Sequence, residues 1–321
     1  MGIIDTLSVG FDRTARRLWL ILLPVLLDIA IWLGPRLSLS ALARQAVSLL
    51  PDPAGLGGQY TQTIELLRTW LTEVAEATNV MSMLSMRLLG MPSLTVSLGS
   101  QPLPFGLVQR SFEIPTWLAF VGVALLFTLA SLLLGCLHLS LIAADARDGD
   151  MSLPYALQVT WRSWLRLVLV VLVATVAIIV GGTAIGVVSG VLAVLSEDLA
   201  ALLLGLFMWC FLSLVTYGAV VFFFTSRAII MDDQGILRSM WNALNVVHRS
   251  FLAVIGFILL VSVLQTGLLY IWRMLAVSPA GILAGVLGNA YVSTGLIMAS
   301  FIFYRDRYVA WQQTRAEKGQ S

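Results

Sequence analysis

Residues 165–194 have the sequence LRLVLVVLVATVAIIVGGTAIGVVSGVLAV, in which Arg166 is the only charged side chain. A helix of that length rises about 45 Å at 1.5 Å per residue, which exceeds the ~30 Å hydrocarbon core of a bilayer. Five further apolar stretches cover 18–34, 115–142, 199–226, 251–275 and 280–304. The sequence therefore predicts an all-α protein, a polytopic transmembrane helical bundle with six spans.

The composition of the whole chain supports a bilayer as its solvent. Of 321 residues, 59% are hydrophobic and 11% are charged, which is too few charges to cover the surface of a soluble domain. The net charge of +2 gives no case for a nucleic-acid partner, so membrane lipids are the expected surroundings. Cys136 and Cys210 both fall inside apolar stretches, where cysteine behaves as a small apolar side chain.

The distribution of positive charge predicts the orientation in the membrane. With the N-terminus inside, the inner segments carry thirteen Lys and Arg residues and the outer segments carry six. The positive-inside rule then places both termini in the cytoplasm of a multi-pass plasma-membrane protein. A cleaved signal peptide is the alternative, because Ala41 and Ala43 resemble a cleavage site, but Asp5, Asp12 and Asp28 interrupt the expected leader and core.

One short pattern occurs three times, and each copy precedes an apolar stretch. It consists of Leu-x-Val followed by Arg and then Ser or Thr. The copies are Leu7/Val9/Arg13/Thr14, Leu157/Val159/Arg162/Ser163 and Leu244/Val246/Arg249/Ser250. The recurrence predicts three similar helical hairpins, made of spans one and two, three and four, and five and six.

Residues 35–113 form an extracytoplasmic helical insertion in a single membrane domain that covers 1–321. Pro51, Pro53 and the glycines of 55–58 divide the insertion into a short and a longer helical part, and residues 91–115 are predicted to be irregular. An apolar face recurs at helical spacing through Ile64, Leu67, Leu71 and Val74. Such a face packs on the bundle, lies on the membrane surface or binds another membrane or envelope protein through 36–90.

Two ridges of small residues predict close helix packing. One comprises Gly182, Gly186 and Gly190, and the other lies on the sixth span and includes Gly285 and Gly288. Packing within the chain is the expected use of both, and a homodimer face is the alternative.

Three polar residues lie at comparable depth within predicted spans and form the candidate site. Asp28 follows Leu7 by 21 residues and Gln265 follows Leu244 by 21, so the two are equivalent in the first and third repeats; Asn289 lies on the sixth span. Polar groups at such depth either hydrogen-bond between helices or line a path for a substrate or ion. Interhelical bonding is the expected role.

No catalytic, cofactor-binding or metal-binding residues are predicted. The chain contains no Gly-rich phosphate loop, no H-E-x-x-H and no G-x-S-x-G, and its two histidines, His138 and His248, fall near predicted inner ends of spans. We therefore expect a protein that is not an enzyme.

The stretch from Ser226 and Arg227 through Asp232, Asp233 and Gly235 has a further resemblance, together with Ser239, Asn245 and Ser250 downstream. It resembles uncharacterised bacterial six-span membrane proteins that are similar to the membrane domain of some glycerophosphodiester phosphodiesterases. The resemblance covers mainly the second half of the chain. The phosphodiesterase catalytic domain is missing from it, so the resemblance implies no enzymatic activity and transfers no catalytic residue.

These patterns predict a non-enzymatic membrane scaffold or accessory component. The alternative function is a small transporter or channel that uses the polar site around Asp28. An intramembrane enzyme acting on lipid has the least support. A transporter needs a wet cavity at the depth of Asp28, whereas a scaffold needs an exposed apolar patch on 36–90 or a dry, closed bundle.

Overall fold

The computed structural model describes residues 1–52, 58–86, 89, 91–99, 103–104, 109–148 and 153–319. These residues form eleven α-helices and two short strands, with 3₁₀ turns at Leu18–Ile21 and Val80–Leu84. In chain order the elements are α1 (Ile3–Arg16), α2 (Leu22–Leu33), β1 (Arg36–Ser38), α3 (Ser40–Ser48), α4 (Gly58–Ala77), α5 (Leu94–Leu98), β2 (Ser111–Glu113), α6 (Trp117–Asp148), α7 (Leu153–Leu195), α8 (Glu197–Asp232), α9 (Ile236–Arg249), α10 (Phe251–Leu275) and α11 (Pro279–Gly319).

The helical membrane architecture predicted from the sequence is confirmed. Five helices of the described chain, α6, α7, α8, α10 and α11, are long and apolar enough to cross a membrane. The first predicted span, 18–34, is a shorter apolar segment, Leu18–Leu33, which begins with a 3₁₀ turn before α2. The 12 residues of α2 rise about 18 Å, which is less than the hydrocarbon core. A sixth crossing therefore remains a prediction.

The three copies of the repeated pattern follow two different courses. α1 and α9 are both amphipathic helices of 14 residues, and each is followed by a backbone break and then an apolar helix. The breaks are the 3₁₀ turn at Leu18–Ile21 and the non-helical Ser250. The second copy lies inside α7, which runs without interruption over 43 residues. The first and third copies are thus locally alike, and the three-hairpin repeat stays a prediction.

The contacts within the chain divide it into two compact units. The first unit comprises Met1–Arg13, Cys136–Val261 and Gly295–Ser321, and the second comprises Thr14–Gly135 and Ser262–Thr294. The described residues of the insertion 35–113 belong to the second unit. The three predicted site residues also belong to it.

In the first unit, two arginines bind the end of α6, and a glycine lets α1 approach α11. Arg13 donates to the backbone carbonyls of Asp145 and Ala146 at 3.4 and 3.2 Å, and Arg305 donates to that of Ala146 at 3.1 Å. Cations at these carbonyls complement the negative end of the helix dipole. A Cβ atom at Gly10 would lie 2.7 Å from the backbone nitrogen of Ala299, so α1 and α11 approach too closely for any larger residue there.

In the second unit, the start and the end of the insertion are held together. β1 pairs in parallel with β2, in the register Arg36 with Ser111 and Ser38 with Glu113. The side chain of Asn79 accepts from the backbone nitrogen of Leu37 at 3.1 Å, which joins the end of the α4 region to this pair of strands. The insertion is therefore closed at its base by backbone hydrogen bonds.

The structure separates the two glycine ridges. Cβ atoms at Gly285 and Gly288 would lie 2.8 Å from a Leu94 methyl group and 2.5 Å from the Trp272 ring, so this ridge packs within the chain as predicted. Cβ atoms at Gly182, Gly186 and Gly190 would meet no atom of the described residues within 4 Å. Within the described chain, the prediction that the α7 ridge packs closely against another helix is therefore wrong.

Candidate functional site

Asp28 is the centre of the candidate site, and its carboxylate is fully engaged. The residue lies on α2 with 2% of its surface exposed. Its Oδ1 accepts hydrogen bonds from the Ser93 hydroxyl, from the Thr95 hydroxyl at 2.7 Å and from the Thr95 backbone nitrogen at 3.1 Å. Its Oδ2 accepts from the backbone nitrogen of Leu94 at 2.9 Å. Four donors from three consecutive residues therefore converge on one buried carboxylate.

The local sequence explains why residues 93–95 can present these donors. Ser93 is the N-cap of α5, since its hydroxyl oxygen accepts from the backbone nitrogen of Val96 at 3.1 Å. The first backbone N–H groups of a helix have no partner within the helix, so those of Leu94 and Thr95 are available to an external acceptor. Asp28 supplies that acceptor from α2. We call residues 92–97 with their partners the Asp28 clamp.

Two more side chains bind the same segment from other helices. Asn289 on α11 donates to the backbone carbonyl of Pro92 at 2.8 Å. Arg273 on α10 donates to the carbonyl of Ser97 at 2.8 Å. The clamp thus ties residues 92–97 to three helices, α2, α10 and α11.

Gln265 does not join the clamp. It is half-buried on α10, and its side chain makes no hydrogen bond with the described part of the chain. The repeat made Asp28 and Gln265 equivalent in sequence, but the structure brings Asp28 and Asn289 to one segment and leaves Gln265 outside it.

Apolar residues enclose the clamp. Leu94, whose backbone bonds to Asp28, packs in a core with Val25 and Val286, and Met91 packs with Leu27. Hydrogen bonds to a charged group are stronger in such a low-dielectric setting, and a donor left unpaired there is correspondingly costly. The arrangement is that of a structural joint between α2 and the insertion.

The first unit contains a second polar centre at Arg227, which begins the stretch with the family resemblance but whose burial the sequence does not indicate. Arg227 on α8 is completely buried, its guanidinium carbon lies 3.5 Å from the centre of the Phe223 ring, and it donates to the hydroxyls of Ser226 and Ser300 at 2.9 and 3.2 Å. It also donates to the Phe223 carbonyl at 2.9 Å. A fully buried arginine is rare, and this one is held by hydrogen bonds and a ring face together.

The acidic residues that follow Arg227 bind neighbouring helices. Tyr304 donates to Asp232 at 3.2 Å, and Arg166 pairs with Asp233 at 2.7 Å. Asp233 adopts a left-handed backbone with φ of +46° and ends α8. The stretch that carried the family resemblance therefore builds the packing of the first unit.

Two kinds of chemical centre, an activated histidine at position 138 and a metal-binding cluster, are missing from the described residues. His138 is buried on α6, and neither ring nitrogen has a hydrogen-bond partner among the described residues, so no serine or carboxylate is within reach of it there. The same residues contain no group of three or more His, Cys, Asp and Glu side chains that could hold a metal ion.

Comparison with known proteins adds no relative. No family model, no curated protein and no solved structure matches this chain.

Proposed function

We propose that the chain is a non-enzymatic scaffold or accessory component of a bacterial plasma membrane, and that its extracytoplasmic insertion binds another membrane or envelope protein. The proposal includes six spans arranged as three hairpins, with both termini cytoplasmic. It follows the arginine distribution and the five long apolar helices described above.

The observation that carries the proposal is the exposed apolar face of α4. Leu66 is 64% exposed and Trp70 is 57% exposed, and Leu67 and Val74 on the same face are each 39% exposed. Large apolar side chains that remain exposed together mark a surface for a partner or a membrane. We call these four residues the α4 face.

A second side of α4 supports the scaffold function because it is packed. Ala75, opposite Leu66 on the helix, is buried, and α3 lies against α4. The apolar face predicted from the sequence is therefore divided, since its members Ile64 and Leu71 are half-buried whereas Leu67 and Val74 are exposed. The helix thus has one side anchored in its own unit and one side free. The Asp28 clamp holds the chain that follows, so the insertion is a fixed platform.

The transporter alternative has no comparable support. It requires a polar group that can exchange its partners with a substrate or ion. Both Asp28 oxygens are taken by donors of the same chain, and the residue is 2% exposed. Among the described residues, neither Gln265 nor Asn289 makes a hydrogen bond with Asp28.

The test is photo-crosslinking in intact cell membranes, with a benzophenone amino acid at position 70 and, as the matched control, at Thr72, which is exposed but does not belong to the α4 face. We expect one protein adduct of defined mass from position 70 and none from position 72. Leu66→Glu should abolish that adduct, because a charge in the middle of an apolar interface is costly. Adducts with lipid alone, or equal adducts from both positions, would contradict the proposal.

A further inference from the structure

An apolar groove of about 430 Å³ lies on the first unit. Trp209, Ser213 and Tyr217 line it from α8, Val247 from the end of α9, and Phe251 and Ile255 from the start of α10. The Ser213 hydroxyl donates to the Trp209 carbonyl of its own helix at 2.8 Å. The groove therefore offers an occupant an apolar wall and no free polar group from Ser213.

A basic residue, Arg249, is adjacent in sequence to the lining of the groove. Arg249 falls between the lining residues Val247 and Phe251 in the chain, and both Arg249 and His248 are exposed. Here α9 ends and α10 begins, with Ser250 between them.

Arg249 differs in its contacts from the two equivalent arginines of the repeated pattern. Arg13, in the first copy, donates to two carbonyls at the end of α6, and Arg162, in the second copy, pairs with Asp233 at 3.4 Å. The side chain of Arg249, in the third copy, makes no hydrogen bond or ion pair with any residue that the structure describes. Of the three equivalent arginines, Arg249, which is adjacent in sequence to the groove lining, is the one whose side chain remains available to an external anion.

The outer surface of α9 is suited to the membrane interface. The helix buries Ser239, Asn242, Ala243, Val246 and Val247. Its exposed side carries Leu237 and Trp241, which are 83% and 63% exposed, along with Arg238 and Arg249. Apolar, aromatic and basic residues combined on one side are typical of a helix that lies among lipid headgroups.

From these observations we infer that the groove binds one acyl chain of an anionic phospholipid, whose phosphate headgroup pairs with Arg249. The apolar lining contacts the acyl chain, and the arginine donates hydrogen bonds to the phosphate. The position of α9 places the headgroup at the interface. The site is distinct from the α4 face and does not depend on the proposed partner.

The experiment measures lipid binding to the full-length protein by native mass spectrometry in detergent, with phosphatidylglycerol and phosphatidylcholine of equal chain length as the two probes. The variants are Arg249→Gln, Arg249→Lys and Ser213→Phe, which places a ring in the groove. The control is Arg238→Gln, which removes an exposed arginine of α9 that does not flank the groove.

We expect the unaltered protein to bind phosphatidylglycerol more tightly than phosphatidylcholine. Arg249→Gln should weaken phosphatidylglycerol binding about fivefold, the contribution of one basic residue at an anionic headgroup, and should leave phosphatidylcholine binding unchanged. Arg249→Lys should retain most of the preference, Ser213→Phe should weaken the binding of both lipids, and Arg238→Gln should change neither.

Three results would overturn the inference. The first is equal binding of both lipids by the unaltered protein, and the second is an equal loss in Arg238→Gln and Arg249→Gln. The third is a two-chain complex that carries no lipid and dissociates in Ser213→Phe, because the groove would then be covered by a second copy. If Ser213→Phe is not monodisperse after purification, Thr216→Leu supplies the groove-filling variant, because Thr216 also lines the groove from α8. Unchanged lipid binding by Thr216→Leu would likewise overturn the inference.

Discussion

Asp28→Ala is expected to lower the free energy of unfolding by about 4 kcal/mol, since it strands four buried donors that each cost on the order of 1–3 kcal/mol when unpaired. Two of these donors are backbone N–H groups, of Leu94 and Thr95, and two are the hydroxyls of Ser93 and Thr95. Asp28→Asn keeps one acceptor oxygen but turns an NH₂ group toward donors, so we expect a loss of about 2 kcal/mol. Thermal unfolding in detergent micelles, followed by tryptophan fluorescence, measures both.

Gln265→Leu is the matched control for Asp28. It also removes a polar side chain at a comparable position in the repeat, but Gln265 makes no hydrogen bond with the described chain. We expect its effect to stay within about 0.5 kcal/mol, as for substitutions that break no defined interaction. A loss at Gln265 equal to the loss at Asp28 would contradict the assignment of the joint to Asp28.

Arg227→Ala is expected to destabilise the first unit by about 3 kcal/mol, because it leaves a cavity in a packed region and removes buried hydrogen bonds. Arg227, on α8, is among the largest fully buried side chains of the described residues, and it donates a hydrogen bond to Ser300 on α11. The measurement is again the thermal unfolding transition, read together with the fraction of monodisperse protein after heating.

Arg238→Ala is the control for that substitution. Arg238 is exposed on α9, so its truncation should shift stability by about 0.5 kcal/mol or less. Equal losses in the two variants would mean that the effect comes from arginine content and not from burial of Arg227.

The spans and the importance of Asp28 could be predicted from the sequence for simple physical reasons. Long apolar stretches have one stable environment, which fixes α6, α7, α8, α10 and α11. A lone carboxylate among apolar residues requires polar partners, so the sequence alone indicates that Asp28 is important. Packing between helices was also expected to use Gly285 and Gly288, and it does.

The partner of Asp28 could not be predicted, because it comes from residues 93–95 in a stretch rich in Gly, Pro and Ser that has no periodic pattern. A sequence signal was present in Ser93, a good N-cap residue that directly follows Pro92. Arg227 was missed for a different reason. It was counted among the inner positive charges, and charge counting does not distinguish an exposed arginine from a buried one.

The first span and the α7 ridge show the limit of pattern alone. Hydropathy predicts 18–34 as a full span, and the structure has a 3₁₀ turn at Leu18–Ile21 before the 12 residues of α2, so a crossing by this segment stays a prediction. Small residues at a spacing of four permit close approach without requiring it, and Cβ atoms at Gly182, Gly186 and Gly190 would meet no described atom within 4 Å.

The central claim is that Asp28 is a structural joint that fixes the insertion, and amide hydrogen exchange tests it most directly. In lipid nanodiscs, peptides that contain the amides of Leu94 and Thr95 should be protected in the unaltered protein, since both N–H groups donate to Asp28. Asp28→Ala should abolish this protection while that of α4 stays unchanged. Rapid exchange of these amides in the unaltered protein, or protection that survives Asp28→Ala, would contradict the account.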